Sequence, residues 1–244
     1  MAVAFDASTN GTQFRDNSNY GHPNPSTFTH TPVGTPRGVI VLLTQVAISA
    51  NDCITGVTYG GVSMTRVPTN GFAQDTATEL GAAYAYFLGS GIPTGAQTVS
   101  IAYDDNEESM KRAVCITLTA SADTEVVASG RVQGDTANPS ISLDSGAKTA
   151  FKAFALYSGQ DAIANITNTA GMTRILAEKL SEGNYCRVYG YRTTPGSGSE
   201  TVVQTATSDD VAMVGLAVAE MDAVATAASS YQLANLANLA RLER

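Results

Sequence analysis

From residue 38 onward, short apolar runs alternate with turn residues at the two-residue period of strands rather than the 3.6-residue period of helices. Gly38 opens Val39-Ile40-Val41-Leu42-Leu43, apolar on both faces, which predicts a central strand covered on both sides. Residues 54–59 and 62–67 flank Gly60-Gly61, a dipeptide suited to the positive φ angles of a two-residue hairpin turn. A Tyr- and Ala-rich run follows at 80–88. Residues 98–103 then set Val99, Ile101 and Tyr103 on one face, and residues 113–120 set Val114, Ile116 and Leu118 on one face with Cys115, Thr117 and Thr119 on the other. Residues 140–143 predict one further short strand. Residues 151–157, 172–176, 185–192, 201–205 and 211–221 predict a second series. About eleven strands with turn residues between them specify an antiparallel sandwich.

The second series echoes the first. Gly60-Gly61-Val62-Ser63-Met64-Thr65-Arg66-Val67 returns as Gly171-Met172-Thr173-Arg174-Ile175, Tyr84-Ala85-Tyr86 as Tyr189-Gly190-Tyr191, and Thr98-Val99 as Thr201-Val202. Asp104-Asp105 and Asp209-Asp210 then precede apolar runs in both. One unit used twice, over about 38–121 and 149–221, would bury its apolar face against its copy. The expected fold is an all-β, jelly-roll-like antiparallel sandwich built from an internal repeat.

Both ends differ from this body. Residues 1–36 are rich in Asn, Gly, Ser and Thr, and Pro23, Pro25, Pro32 and Pro36 remove backbone donors. They predict an extended arm, with a strand conceivable over 2–7 and another near 27–31. Residues 222–244 end in Leu-Ala-Asn triplets. As a helix, Leu233, Leu236 and Ala240 form one stripe, with Leu239 and Leu242 drifting around it, too short to stand without a partner surface. The sandwich is therefore expected over 37–221, with a helical tail over 222–244 whose leucines contact another subunit or the body itself.

Charge and composition narrow the function. A net charge of −8 argues against a nucleic-acid binder, which needs a basic surface. No apolar run is long enough to span a bilayer, and the start lacks the basic and apolar segments of a secretory leader, so synthesis in a cytoplasm is expected. Cys53, Cys115 and Cys186 cannot all pair with each other, and none has metal-ligand spacing. His22 and His30 lack companions for a metal site. The acids Asp104, Asp105, Glu107 and Glu108 do not match a calcium loop and read as a solvated turn. No nucleophile elbow or phosphate loop occurs, so neither catalytic residues nor a cofactor are expected. Tyr84, Tyr86, Tyr185, Tyr189 and Tyr191 suit strand packing first and a sugar-stacking platform second. Arg66 and Arg174 are expected to make matching structural bonds near the hairpin.

The order Val57-Thr58-Tyr59-Gly60-Gly61, Met64-Thr65-Arg66-Val67, then Gly95-Ala96-Gln97-Thr98-Val99, preceded by Thr35-Pro36-Arg37-Gly38-Val39, resembles β-sandwich structural proteins of tailed bacteriophages. The likeness covers roughly residues 31–221. It implies a virion location without a catalytic site. The expected role is a capsid decoration protein, a homo-oligomer such as a trimer, contacting the major capsid protein or other virion proteins. The alternative is a tail- or fibre-associated module that stacks host glycans on Tyr84, Tyr86, Tyr189 and Tyr191.

Overall fold

The computed structural model describes residues 2–11, 13–16, 23–47, 52–69, 73–74, 81–104, 109–135, 137–159, 167–168, 171–179, 185–192, 194–205 and 210–222. Among these, all regular structure is strand, paired antiparallel, and no helix occurs. The first sheet runs β1 (Ala4–Asn10), β11 (Ser109–Thr119), β4 (Gly38–Ala47), β9 (Gly81–Leu88), β7 (Thr65–Val67), with β2 (Phe14–Asp16) on β11 and β8 (Ala73–Gln74) on β9. A second sheet runs β3 (Ser26–His30), β10 (Gln97–Tyr103), β5 (Ile54–Tyr59), β6 (Val62–Ser63). The third runs β12 (Thr124–Asp135), β19 (Asp210–Glu220), β14 (Phe151–Ser158), β17 (Cys186–Arg192), β16 (Met172–Lys179), and the fourth β13 (Ser140–Asp144), β18 (Ser199–Thr205), β15 (Thr167–Asn168).

Alternation along each strand decides what packs where. Val39, Val41 and Leu43 on β4, with Tyr84 and Tyr86 on β9, face Ile54, Val57, Tyr59, Val99 and Ile101 of the second sheet. The opposite faces of the same strands carry Ile40, Leu42, Ala83, Ala85 and Phe87. These meet Ala153, Ala155, Tyr157, Tyr189, Val214 and Leu216 of the third sheet. The outward face of the third sheet carries Phe154, Leu156, Val188 and Met213, covered by Ile141, Leu143 and Val202 of the fourth. The layers therefore run small, large, large, small. Strand β14, and β4 over residues 38–46, are buried throughout because both of their faces are covered, and they take in the buried polar residues Thr44, Gln45, Lys152 and Ser158 as well as apolar ones.

The pairing is nested. In the first half the earliest strand, β1, pairs with the last, β11; inside that, β3 pairs with β10, β4 with β9, and β5 with β6. In the second half β12 pairs with β19, β13 with β18, and β14 with β17. The hairpin expected at Gly60-Gly61 is present, with φ of 56° and 81° and Tyr59 opposite Val62. After it the chain changes sheets at Met64: Val62 and Ser63 pair with β5, whereas Thr65 to Val67 pair with β9.

Two sequence expectations change, whereas the strands conceivable within the N-terminal segment, over 2–7 and near 27–31, are present: residues 4–10 and 26–30 are edge strands of the first and second sheets, hydrogen-bonded along β11 and β10. The prolines lie outside these two strands, at 23, 25, 32 and 36, so they leave the ladder donors intact. Strand β12 was not expected, because its sequence TEVVASGRVQGD mixes Gly, Ser and Arg among small apolar residues. As an edge strand it needs only one paired side. Finally, the tyrosine echo is out of phase: Tyr84 and Tyr86 face the second sheet, whereas Tyr189 faces the first. A shift of one residue moves a side chain to the other face. The Met64/Met172 and Val99/Val202 echoes are in phase, each pair lying in an outer core. Residues 223–244, including the tail leucines, lie outside the described residues, as do His22, Asp105, Glu107 and Glu108.

Candidate functional site

The hairpin region positions Arg66 at the centre of a network. Strand β7 sets Arg66 directly opposite Tyr86 on β9. Its Nε and Nη2 donate to the Tyr86 hydroxyl at 2.9 and 2.8 Å, its Nη1 reaches Asp52, and its Nη2 reaches the Ile54 carbonyl. The guanidinium also lies 5.4 Å from the centroids of both the Tyr84 and Tyr86 rings, a cation–π placement. Burial works against its charge, but Asp52 and Tyr86 outweigh it and hold the pKa above the ordinary arginine value. This group clamps the loop before β5 onto β9.

Arg174 does not repeat this geometry. It stands opposite Gly190, which supplies no hydroxyl. Gly190 cannot be a tyrosine, since a Cβ there would come within 2.7 Å of the Phe154 ring and of the Thr173 carbonyl. Burial lowers the Arg174 pKa.

The tyrosines are packing residues. Tyr84 and Tyr189 are fully buried and Tyr86 nearly so, leaving no ring face open to a sugar, and burial raises all three phenol pKa values. Tyr189 joins the two large sheets: its hydroxyl donates to the Arg112 carbonyl at 2.8 Å and accepts from Thr44 at 2.6 Å. Half-buried Tyr191 is stacked between Phe5 (4.7 Å between centroids) and Phe151 (5.3 Å). Tyr185 packs near Tyr157.

Two polar centres escaped the sequence reading. In the first, His30 is buried between β1 and β11, its Nδ1 2.8 Å from Thr9 Oγ1 and its Nε2 3.1 Å from Thr117 Oγ1. Thr117 spends its proton on Asp6 at 2.8 Å, so it accepts from Nε2–H, and Thr9 must donate to Nδ1. The imidazole is thus a neutral Nε2–H tautomer. Asp6 in turn accepts from the backbone N–H of Val33 and Gly34 at 3.2 and 2.7 Å. Burial lowers the His30 pKa, against the opposing charge of Asp6. The available signal was the alternation that places Thr117 and Thr9 on one face; nothing in sequence joins them to His30.

In the second centre, Arg187 is fully buried opposite Glu178 in the β16–β17 pair. Its Nε lies 3.2 Å from Glu178 Oε1, and Arg112 Nε from the neighbouring large sheet lies 3.8 Å from the same oxygen. Among the described residues none accepts a hydrogen bond from a nitrogen of Arg187. Burial pushes the Arg187 pKa down, against Tyr189 and Glu178. Among the described residues no three His, Cys, Asp or Glu side chains gather as a metal site. The three cysteines are buried, and none is in a disulfide.

No protein-family model matches the sequence, and no curated protein does either.

Proposed function

We propose that the chain is a non-enzymatic structural component of a tailed-phage virion, a capsid decoration protein in which a jelly-roll unit is used twice. The observation that carries this reading is the nested pairing. Numbering the main strands of the first half 1 to 8 in chain order, its two sheets run 1-8-3-6 and 2-7-4-5, the order of a rolled-up antiparallel ribbon; the described strands of the second half, numbered likewise, run 1-8-3-6-5 and 2-7-4, sharing the 1-8-3-6 and 2-7-4 parts of that order. Jelly rolls of this kind recur in capsid proteins. The residues that resemble phage structural proteins are spent on architecture, in the Gly60-Gly61 turn, the sheet change at Met64 and the Arg66 clamp. Edge strands such as β3, β13 and β16 offer backbone groups for lattice contacts with the major capsid protein or with further copies of this chain. The burial of Tyr84, Tyr86 and Tyr189 removes the main support for glycan binding.

Immunogold labelling of purified particles tests the reading. Gold spread over the heads is the expected result. Gold confined to the tail end would move the chain to the tail- or fibre-associated role, and unlabelled particles would remove the virion assignment.

A further inference from the structure

The third sheet ends in two edge strands that are held very differently. At one end β12 is fastened on several sides. The Thr124 N–H donates to the Gly89 carbonyl, just past β9, at 3.0 Å, and the Asp123 carbonyl accepts from the Met221 N–H at 2.8 Å. Glu125 is paired with Lys148 at 2.5 Å. At the other end β16 pairs with β17 and, among the described residues, with no other strand. Gly171 leads into it with φ of 85°, and its register slips between Arg174 and Leu176. Residues 173–178 are part-buried, whereas Phe151–Ser158 of β14 are buried throughout.

The inward side chains of β16 carry the difference further. Pairing sets Leu176 opposite Tyr189 and Glu178 opposite Arg187. Leu176 and Ile175 pack on the core between the two large sheets. Glu178 does less. Its Oε1 makes no hydrogen bond, and Arg112 Nε lies 3.8 Å from that oxygen, beyond hydrogen-bond reach. Arg187 is closed off from water with five N–H groups that no described residue accepts.

Closing β16 over Arg187 therefore carries a penalty beside the place where Ile175 and Leu176 gain burial. Lifting the strand admits water to Arg187, Arg112 and Glu178 together. An ordinary edge strand loses ladder bonds and apolar burial when it opens. Here solvation of the buried guanidinium offsets part of that loss.

We propose that β16 is a strap poised to open, lifting off β17 while β12, β19 and β14 stay paired, with the unmet donors of Arg187 favouring the open state. Release bares the outer backbone edge of β17, from Cys186 to Arg192, as a row of donors and acceptors able to take up an extended strand. The device is built into the fold and does not depend on the virion role.

Hydrogen–deuterium exchange of the full-length chain, read by mass spectrometry on peptides from each strand, tests it. At neutral pH the β16 amides bonded to β17 should exchange at least about tenfold faster than the ladder amides of β14 and of the other edge strand, β12. Arg187→Met removes the unmet donors and should slow β16 severalfold without moving β12. Glu178→Gln takes away the carboxylate that faces Arg187 and should speed β16, so the test stands even where one variant folds poorly. Exchange of β16 at the rate of β14, or a rate indifferent to both substitutions, would overturn the proposal. So would faster exchange of β16 in Arg187→Met, because the guanidinium would then be holding the strand down.

Discussion

Two clusters of the same make-up, two cations around one carboxylate, are built on the strands of the second half, the inner one with Arg112 from the first half, and differ in how well each charge is met. In the outer cluster Lys152 is fully buried, yet its ammonium lies 2.5 Å from Glu200 Oε2 and 3.2 Å from the Gly196 carbonyl, while Arg192 Nε takes the other oxygen at 3.1 Å. In the inner cluster Arg187 and Arg112 both lean on a single oxygen of Glu178, and the N–H groups of Arg187 donate no hydrogen bond to the described residues. A compact ammonium can be satisfied by two oxygens, here one from strand β18 and one from the turn before it. A guanidinium carries five N–H groups, and a seam between two apolar sheets offers too few acceptors. Equal charge counts therefore conceal unequal energetics.

The contrast is sharpest in Glu200→Ala. It strands a buried ammonium, and a loss of about 3–5 kcal/mol in urea unfolding is expected. Arg187→Met should cost much less than Glu200→Ala, since it removes a poorly met buried charge and leaves Arg112 beside a Glu178 that is partly open to solvent. A large loss from Arg187→Met would erase the distinction between the clusters. Next in size is Tyr189→Phe, which removes the hydroxyl bridging Thr44 and the Arg112 carbonyl beside the inner cluster. A cost of about 0.5–1.5 kcal/mol by thermal or urea unfolding is expected.

The smallest effect concerns His30, a third way of burying a polar group, kept neutral with both ring nitrogens bonded. Its folded pKa lies below the ordinary value of 6.5, so the unfolded chain binds the proton more readily. Its contribution is fully present above pH 6.5 and is lost as pH falls through the folded pKa. Urea midpoints should drop from neutral pH toward pH 5, and His30→Asn should flatten that part of the curve. A nitrogen-detected NMR spectrum should show the Nε2–H tautomer, and the opposite tautomer would break the Thr117–Asp6 relay inferred above.

Much of the fold was legible because period-two alternation and Gly-Gly turns are local signals. Strands β4, β5, β9, β10, β11, β14, β17, β18 and β19 fall where the apolar runs lie, and the Gly60-Gly61 hairpin was marked by its own dihedral demand. The misses are non-local. Strand β1 is made a sheet member by β11, which lies over a hundred residues away. The phase of Tyr189 against Tyr84 is set by pairing with β14 and β4, which repeated letters do not encode. Arg66 declared itself by sitting beside a turn. His30, Asp6, Thr9 and Thr117 come from three strands and have no common spacing, and Arg187 hides in a run, Cys186 to Arg192, whose other members suit a buried strand.

The outermost nested pair also sets a timetable. Ala4 finds its partner only in Thr119, so β1 waits for the end of β11 to be made. At roughly 5–20 residues per second of synthesis, that wait is on the order of ten seconds. For that interval β4, apolar on both faces, has been made while β11, which will flank it, has not. The nascent chain therefore depends on whatever shields it in the cell until both ends of the ribbon can close.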